Sequence, residues 1–162
     1  MRQLPEATVI LREVRRDDLS LFFVHQNDLE AATMAAFTSR DPADRDAFDA
    51  HWGRILKDPT LVSRTIEVDG IVAGNILCFP LFGKTSVGYW IGKEHWGKGI
   101  ASAALKAFVG ELKMRPLYAA AAADNVGSIR VLEKAGFAIY GSEMGYANAR
   151  KAEIKEVLLR LD

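Results

Sequence analysis

The feature that most constrains the fold is a predicted strand that leads directly into a glycine-bearing loop and an amphipathic helix. Residues 85–91 predict the strand, and the segment HWGKGIASAAL at 95–105 contains the loop and the first turns of the helix. From about Ile100 to Lys113 the apolar residues recur at helical spacing and form one face. They are Ala101, Ala104, Leu105, Phe108, Val109 and Leu112. A strand–helix unit of this kind requires a return strand beside the first one.

The return strand is predicted at 116–123, although its sequence PLYAAAAA is rich in alanine. Alanine alone favours a helix, but Pro116 opens the segment and the strand–helix unit needs a partner here. A short helix at 126–135 follows, with Gly136 as its left-handed cap. Residues 137–142 and 153–161 predict the last two strands.

The first half of the chain predicts a strand, two helices and a hairpin. Residues 8–14 form the strand, and a helix runs from the RRDD segment to about Asn27. The segment 28–40 leaves a short helix and a loop as alternatives. Asp41-Pro42 has the residues of a helix start, with an aspartate cap followed by proline. That second helix carries Phe48, Trp52, Ile55 and Leu56 on one face and ends at Asp58-Pro59.

Two strands, 62–68 and 71–82, flank Asp69-Gly70, which is a favoured two-residue hairpin turn. A turn at Gly83-Lys84 leads into the strand at 85–91. The predicted fold class is therefore α+β, with a mixed, mostly antiparallel central sheet of about seven strands and about four helices. We expect a single domain over 1–162.

Composition excludes several classes of protein. Acidic and basic residues balance at 21 each, so a nucleic-acid-binding protein with a basic excess is not expected. A single cysteine, Cys78, rules out an internal disulfide and favours the cytoplasm. No apolar segment approaches membrane-spanning length, so no membrane partner is expected.

The loop at 97–101 has the chemistry of an anion site. The amides in the first turn of a helix lack partners and its dipole is positive there, so a loop that converges on them can hold phosphates. Gly97 and Gly99 allow close approach, Ala101 keeps the next position small, and Lys98 adds a positive charge. By itself this pattern leaves a plain glycine turn as the alternative.

A second motif, DNVGSIRVLEKAGF at 124–137, gives the loop a context. Together with GYWIGKEHWGKGIASAAL at 88–105, it resembles the Gcn5-related N-acetyltransferase superfamily, especially its ribosomal-protein N-terminal acetyltransferase-like branch. The resemblance extends over nearly the whole chain. It implies an acetyl-CoA-dependent N-acetyltransferase in which acetyl-CoA is a cosubstrate and a primary amine, on a protein N-terminus or a small molecule, is the acceptor.

The resemblance also assigns roles to residues. The amides of 97–101 would bind the pyrophosphate, the strand at 89–91 would pair with the pantetheine arm between two splayed strands, and the amide near Ile91 would polarise the thioester carbonyl. The implied cofactor-binding positions are Tyr89, Trp90, Ile91, Trp96, Gly97, Lys98, Gly99, Ile100, Ala101, Asn125 and Ser128. Trp96 stands where the superfamily often has Gln or Arg, so the backbone amides should dominate the phosphate contact.

Catalysis involves an acid and a base. Many members carry a tyrosine acid, but the corresponding residue here is Leu132, and the resemblance assigns the proton donor to Ser128. Glu67 and His95 are the candidate bases, with Glu94 nearby and a water chain as the alternative. Direct attack in a ternary complex needs no covalent intermediate and no metal. A catalytically idle acyl-CoA-binding sensor or scaffold remains the rival hypothesis, and the oligomeric state, with a homodimer as one option, stays open.

Overall fold

The computed structural model describes residues 8–162, which form one seven-stranded sheet with five α-helices. The strands are β1 Val9–Arg12, β2 Val62–Val68, β3 Ile71–Leu81, β4 Lys84–Ile91, β5 Leu117–Ala122, β6 Ala138–Ala147 and β7 Ala152–Leu161. The helices are α1 Asp18–Gln26, α2 Leu29–Ala35, α3 Arg45–Lys57, α4 Ile100–Glu111 and α5 Val126–Lys134, with a short 3₁₀ turn at Lys93–His95.

The strand order is β1-β2-β3-β4-β5-β7-β6, and every neighbouring pair is antiparallel except β4–β5. This confirms the predicted mixed, mostly antiparallel sheet. The alanine-rich segment is indeed a strand, because β5 lies between β4 and β7 and its Leu117 and Ala122 are buried. The segment whose structure the sequence left open contains a fifth helix, α2, which begins where the Asp28 carboxylate accepts the Ala31 amide at 2.9 Å.

The two neighbours of β4 pair with it very differently. β3 and β4 are matched continuously from the pair Gly74–Ile91 to the pair Leu81–Lys84. In contrast, β4 and β5 are matched at a single described pair, Ser86 and Tyr118. The sheet therefore opens between the C-terminal half of β4 and β5, as the resemblance implies.

Several predicted boundaries are wrong, including the end of β6, which is Ala147 rather than residue 142. Helix α3 starts at Arg45 with Asp44 as its cap, three residues after the expected Asp41-Pro42. The carbonyl of Pro42 instead accepts hydrogen bonds from the side chains of Gln26 and Asn27 at 2.9 Å, which hold it in the loop. The tight turn between β3 and β4 is Phe82-Gly83 rather than Gly83-Lys84, since these two residues have φ values of 50° and 76°.

The core lies on both faces of the sheet. Helix α4 packs its predicted apolar face onto one side, where Ala104, Leu105 and Phe108 are at most 1 % exposed. Helices α1 and α3 cover part of the other side through Phe22, Phe48, Trp52 and Ile55, although Leu56 is 39 % exposed. Burial of each large apolar side chain contributes roughly 1.5–3 kcal/mol. Within residues 8–162, no helix is both long and apolar enough to cross a membrane.

Candidate active site

A cleft of about 590 Å³ occupies the opening between β4 and β5. Its walls come from the end of β4, the loop before α4, the first turn of α4, α5 and one face of α2. The predicted site residues that line it are Tyr89, Trp90, Ile91, His95, Trp96, Gly97, Gly99, Ile100, Ala101, Asn125 and Ser128. The structure therefore brings the two sequence motifs to one place.

The loop before α4 has the geometry of an anion site. Gly97 and Gly99 both have a φ of 75°, a left-handed conformation that favours glycine. Gly99 is the N-cap of α4 and no side chain caps the helix, so the amides of the first turn remain available to a ligand. Ile100, Ala101 and Ser102 line the cleft at this point, whereas Lys98 is exposed and does not. An anion at the helix start is stabilised by these amides and by the helix dipole.

The backbone of β4 presents alternate amides to the opening. The Gly92 amide donates a hydrogen bond to the carbonyl of Ala73 on β3 at 2.8 Å. The carbonyl oxygen of Trp90 lies close to Gly74 on β3, and a Cβ added to Gly74 would be 2.0 Å from that oxygen. Both groups thus face β3. Because hydrogen-bonding groups alternate along a strand, the amides of Tyr89 and Ile91 face the opening.

The two tryptophans at the cleft use their indole donors within the protein. Trp96 Nε1 donates to the Ile91 carbonyl at 3.0 Å, and Trp90 Nε1 donates to the His25 carbonyl at 3.2 Å. The indole N–H of Trp96 is thus engaged within the protein, and Trp96 lines the cleft.

At the start of α5, Asn125 serves as the N-cap. Its Oδ1 accepts the Ser128 amide at 3.2 Å, which leaves its Nδ2 group as a donor toward the cleft. The Ser128 hydroxyl lies 2.8 Å from the Tyr89 hydroxyl on the opposite wall. Burial raises the pKa of Tyr89, and the hydrogen bond with Ser128 opposes that rise. Leu132, one turn further along α5, is 2 % exposed and belongs to the core.

Glu67 does not reach the cleft, which corrects its interpretation as a base. Its carboxylate accepts a hydrogen bond from Arg12 Nε at 2.7 Å, and Arg12 also holds Asp18 with two bonds of 2.8 and 2.9 Å. Burial alone would raise the pKa of Asp18, but hydrogen bonds from Arg12, the Arg15 amide and Thr65 lower it instead. Glu67 therefore belongs to a structural ion network that ties β1 and β2 to α1.

His95 lines the cleft and remains the candidate base that the structure brings to it. Its Nε2 lies 3.6 Å from Glu94 Oε1, and the same oxygen lies 3.8 Å from Nε2 of the buried His25. Burial lowers the pKa of His25, and the nearby Glu94 charge opposes this. His25 Nδ1 has no hydrogen-bond partner among the described residues.

Several cleft residues were missed by the sequence interpretation. Arg130 and Lys134 lie four residues apart on α5, and helical spacing from Asn125 and Ser128 could have identified them. Ala31, Met34 and Ala35 form the α2 wall, and no local pattern in the sequence predicts that contact. No group of three or more metal-ligating side chains was found within residues 8–162.

A second depression of about 570 Å³ adjoins the cleft and shares Met34 and Asp124 with it. Leu29, Glu30, Thr33 and Arg150 complete its lining. Helix α2 thus supplies most of the lining of this depression. The guanidinium of Arg150 binds both carboxylate oxygens of Asp124 and lowers the pKa of that carboxyl.

Comparisons with known proteins concern the family and the fold. The family described as the acetyltransferase (GNAT) domain matches residues 8–138. A curated relative, the probable N-acetyltransferase YjcK of Bacillus subtilis, is 46% identical over 55 residues, which represent 32% of this chain and 30% of that protein. The match thus spans less than a third of the length of that relative.

Solved structures show the same fold. RimJ of Mycobacterium smegmatis, in complex with CoA-disulfide, is similar with a TM-score of 0.80 and 21% identity over 94% of this chain and 81% of that one. Spermidine N-acetyltransferase from Vibrio cholerae, in complex with CoA and spermine, has a TM-score of 0.77 and 18% identity over 94% and 95% of the two chains. At these identities the likeness concerns the fold alone.

Proposed function

Since the chain belongs to the acetyltransferase (GNAT) domain family, we propose that it transfers the acetyl group of acetyl-CoA to a primary amine in a ternary complex. The observation that carries this proposal is the continuity of the cleft. One cavity connects the uncapped start of α4 with the open edge of β4 and the start of α5. A diphosphate followed by an extended amide-bearing arm fits those surroundings in that order.

The diphosphate would bind at the first turn of α4, where Gly97 and Gly99 permit close approach. The arm would then lie along β4 as an added strand and accept hydrogen bonds from the amides of Tyr89 and Ile91. Arg130 and Lys134 line the same cavity and add positive charge on the α5 side. Acetyl-CoA has the matching chemistry, with a pyrophosphate, a pantetheine arm and a terminal thioester.

Direct transfer requires little covalent chemistry from the protein. Holding the amine and the thioester in one cavity provides proximity, and the backbone amide of Ile91 is placed to stabilise negative charge on the carbonyl oxygen during attack. His95, which lines the cleft beside Glu94, would accept the amine proton. Cys78 is buried on β3 and plays no part.

The depression bounded by α2 and Arg150 is the proposed entry for the acceptor amine, because it joins the cleft at Met34 and Asp124. Its exposed apolar residue Leu29 suits an amine attached to a partly apolar body, whereas the carboxylate of Glu30 is already paired with the ammonium of Lys93. Kinship with the ribosomal-protein N-terminal acetyltransferase-like branch belongs to the same proposal. The quoted loop and α5 motifs support it.

The test is thiol release from acetyl-CoA in the presence of a panel of amines, with products identified by mass spectrometry. The panel should include peptides with different N-terminal residues, polyamines and small amines. We expect release of CoA and a mass gain of one acetyl group for at least one class. Tight CoA binding without release for any amine would support the rival acyl-CoA-binding sensor, and absence of CoA binding would contradict both.

A further inference from the structure

The geometry points to the Tyr89 hydroxyl, held by Ser128, as the group that donates a proton to the thiolate of CoA as the acetyl group leaves. This inference rests on the proposed acetyl transfer, because it assigns one step of that reaction. It reverses the assignment implied by the sequence, in which Ser128 is the proton donor. Ser128 becomes a positioning residue that acts through Tyr89.

The first support is the position of the hydroxyl pair. Tyr89 lies three residues beyond Ser86, where β4 and β5 are last matched, and so stands inside the opening. Its hydroxyl extends from β4 to within 2.8 Å of the Ser128 hydroxyl on α5. The pair therefore bridges the two walls between which a thioester arm would run, and both residues line the cleft.

The second support is acidity. An ordinary phenol has a pKa of about 10 and an ordinary thiol about 8.5, so the two lie within about two units of each other. A serine hydroxyl is a far weaker acid and is poorly matched to a thiolate. Burial raises the pKa of Tyr89, so the phenol retains its proton at neutral pH and is available as a donor.

The third support is the hydrogen-bond order at the start of α5. The amide of Ser128 donates to Asn125 Oδ1 at 3.2 Å and fixes the backbone there. If the Ser128 hydroxyl donates to Tyr89 Oη, the phenolic hydrogen is left free for a second acceptor and the developing phenolate is stabilised. Helix α5 offers no further hydroxyl at the next turn, where Leu132 is buried.

The amine nitrogen attacks the thioester carbon, a C–N bond forms, and the C–S bond breaks with its electron pair on sulfur. Tyr89 transfers its proton to that sulfur to give free CoA thiol, and the nitrogen gives its extra proton to His95 or water. The Tyr89 phenolate regains a proton from solvent after the products leave, so no oxidant or reductant takes part.

The experiment compares Tyr89→Phe, Ser128→Ala and the double variant in the thiol-release assay, with Tyr146→Phe as the control. Tyr146 is 59 % exposed on β6 and lies outside the cleft. We expect Tyr89→Phe to lower kcat by about 100-fold, with the KM for acetyl-CoA and the Kd for CoA within about twofold of wild type. Ser128→Ala should lower kcat by about tenfold. The kcat of the double variant should be no lower than that of Tyr89→Phe, because both changes act on the same proton donor.

A second measurement covers the case in which Tyr89→Phe alters the fold. Biosynthetic replacement of Tyr89 by a fluorinated tyrosine makes the phenol more acidic and keeps its shape. The alkaline fall of kcat should then move to lower pH, by about the difference between the two phenol pKa values. An unmoved profile, or a kcat for Tyr89→Phe within twofold of wild type, overturns the inference and leaves acetyl transfer standing. Absence of thiol release in the wild type overturns both proposals.

Discussion

Strand β4 has a closed edge and an open edge, and the contrast separates folding from binding. On the β3 side its residues are matched from Lys84 to Ile91, and the backbones approach so closely that only glycine fits at residue 74. On the β5 side the match is confined to Ser86 and Tyr118 within the described chain. One edge therefore holds the sheet together, while the other leaves amides free for a ligand.

The largest effect is expected at the closed edge, from Gly74→Ala. The added Cβ would lie 2.0 Å from the Trp90 carbonyl oxygen, a contact that forces the two strands apart. We expect a loss of about 3 kcal/mol in the free energy of unfolding, measured by urea denaturation. The matched control is Gly110→Ala in α4, where a Cβ meets nothing within 4 Å and should stabilise the helix by about 0.5–1 kcal/mol. Equal stability of the two variants would contradict the tight approach of β3 and β4.

The next largest effect is expected at the open edge, where a substitution should weaken CoA binding and leave the free energy of unfolding almost unchanged. Ala101→Glu places a carboxylate in the cleft at the start of α4, where the phosphates are proposed to bind. Charge repulsion should weaken CoA binding by more than about 100-fold, measured by calorimetry. Ala103→Glu, on the exposed side of the same helix, should bind CoA as the wild type does. Normal CoA binding by Ala101→Glu would show that the phosphates lie elsewhere.

A smaller effect is expected on the α5 side of the opening. Arg130→Gln removes an exposed positive charge from the lining of the cleft. The Kd for CoA should rise about fivefold at low salt, and the difference should shrink at high salt because exposed charges are screened. Lys106→Gln, an exposed position on α4 outside the cleft, serves as the control and should leave the Kd unchanged. A salt-independent effect would argue against a phosphate contact.

The smallest effect on stability is expected between β6 and β7, at the far end of the sheet from β1. Burial raises the pKa of Glu156 on β7, and Glu143, opposite it on β6, adds to the rise. A carboxyl whose pKa is raised by folding stabilises the fold fully below its unfolded pKa and loses that contribution as pH rises. Glu156→Gln should therefore stabilise the protein at pH 7 by on the order of 0.5 kcal/mol and have little effect near pH 4, as measured by thermal denaturation. The exposed Glu153→Gln on the same strand should show no such pH dependence.

Local sequence patterns were sufficient to predict the structure wherever a residue's conformation depends on its near neighbours in the sequence. Asp69-Gly70 forms the predicted turn, with φ values of 50° and 81°, and Gly136 closes α5 with a φ of 102°. The glycine loop and the start of α5 converge as their motifs indicate. Even the alanine-rich strand β5 was predictable, because the strand–helix–strand connection overrides propensity.

Roles that depend on distant partners were not predictable. The Asp41-Pro42 pattern fails because side chains from the end of α1 hold the Pro42 carbonyl. Strand alternation could not show that Glu67 meets Arg12, which lies 55 residues away. The pairing of Tyr89 with Ser128 spans 39 residues and required the sheet to open at that point.

The most direct test of the open edge is amide hydrogen exchange at single-residue resolution, with and without CoA. We predict that CoA slows exchange at Tyr89 and Ile91, which face the opening, and in the first turn of α4. The amide of Trp90, which faces β3, should keep its rate. Protection of Trp90 without Tyr89 and Ile91, or no protection along β4 when CoA is bound, would contradict the claim that this edge receives the acyl-CoA arm.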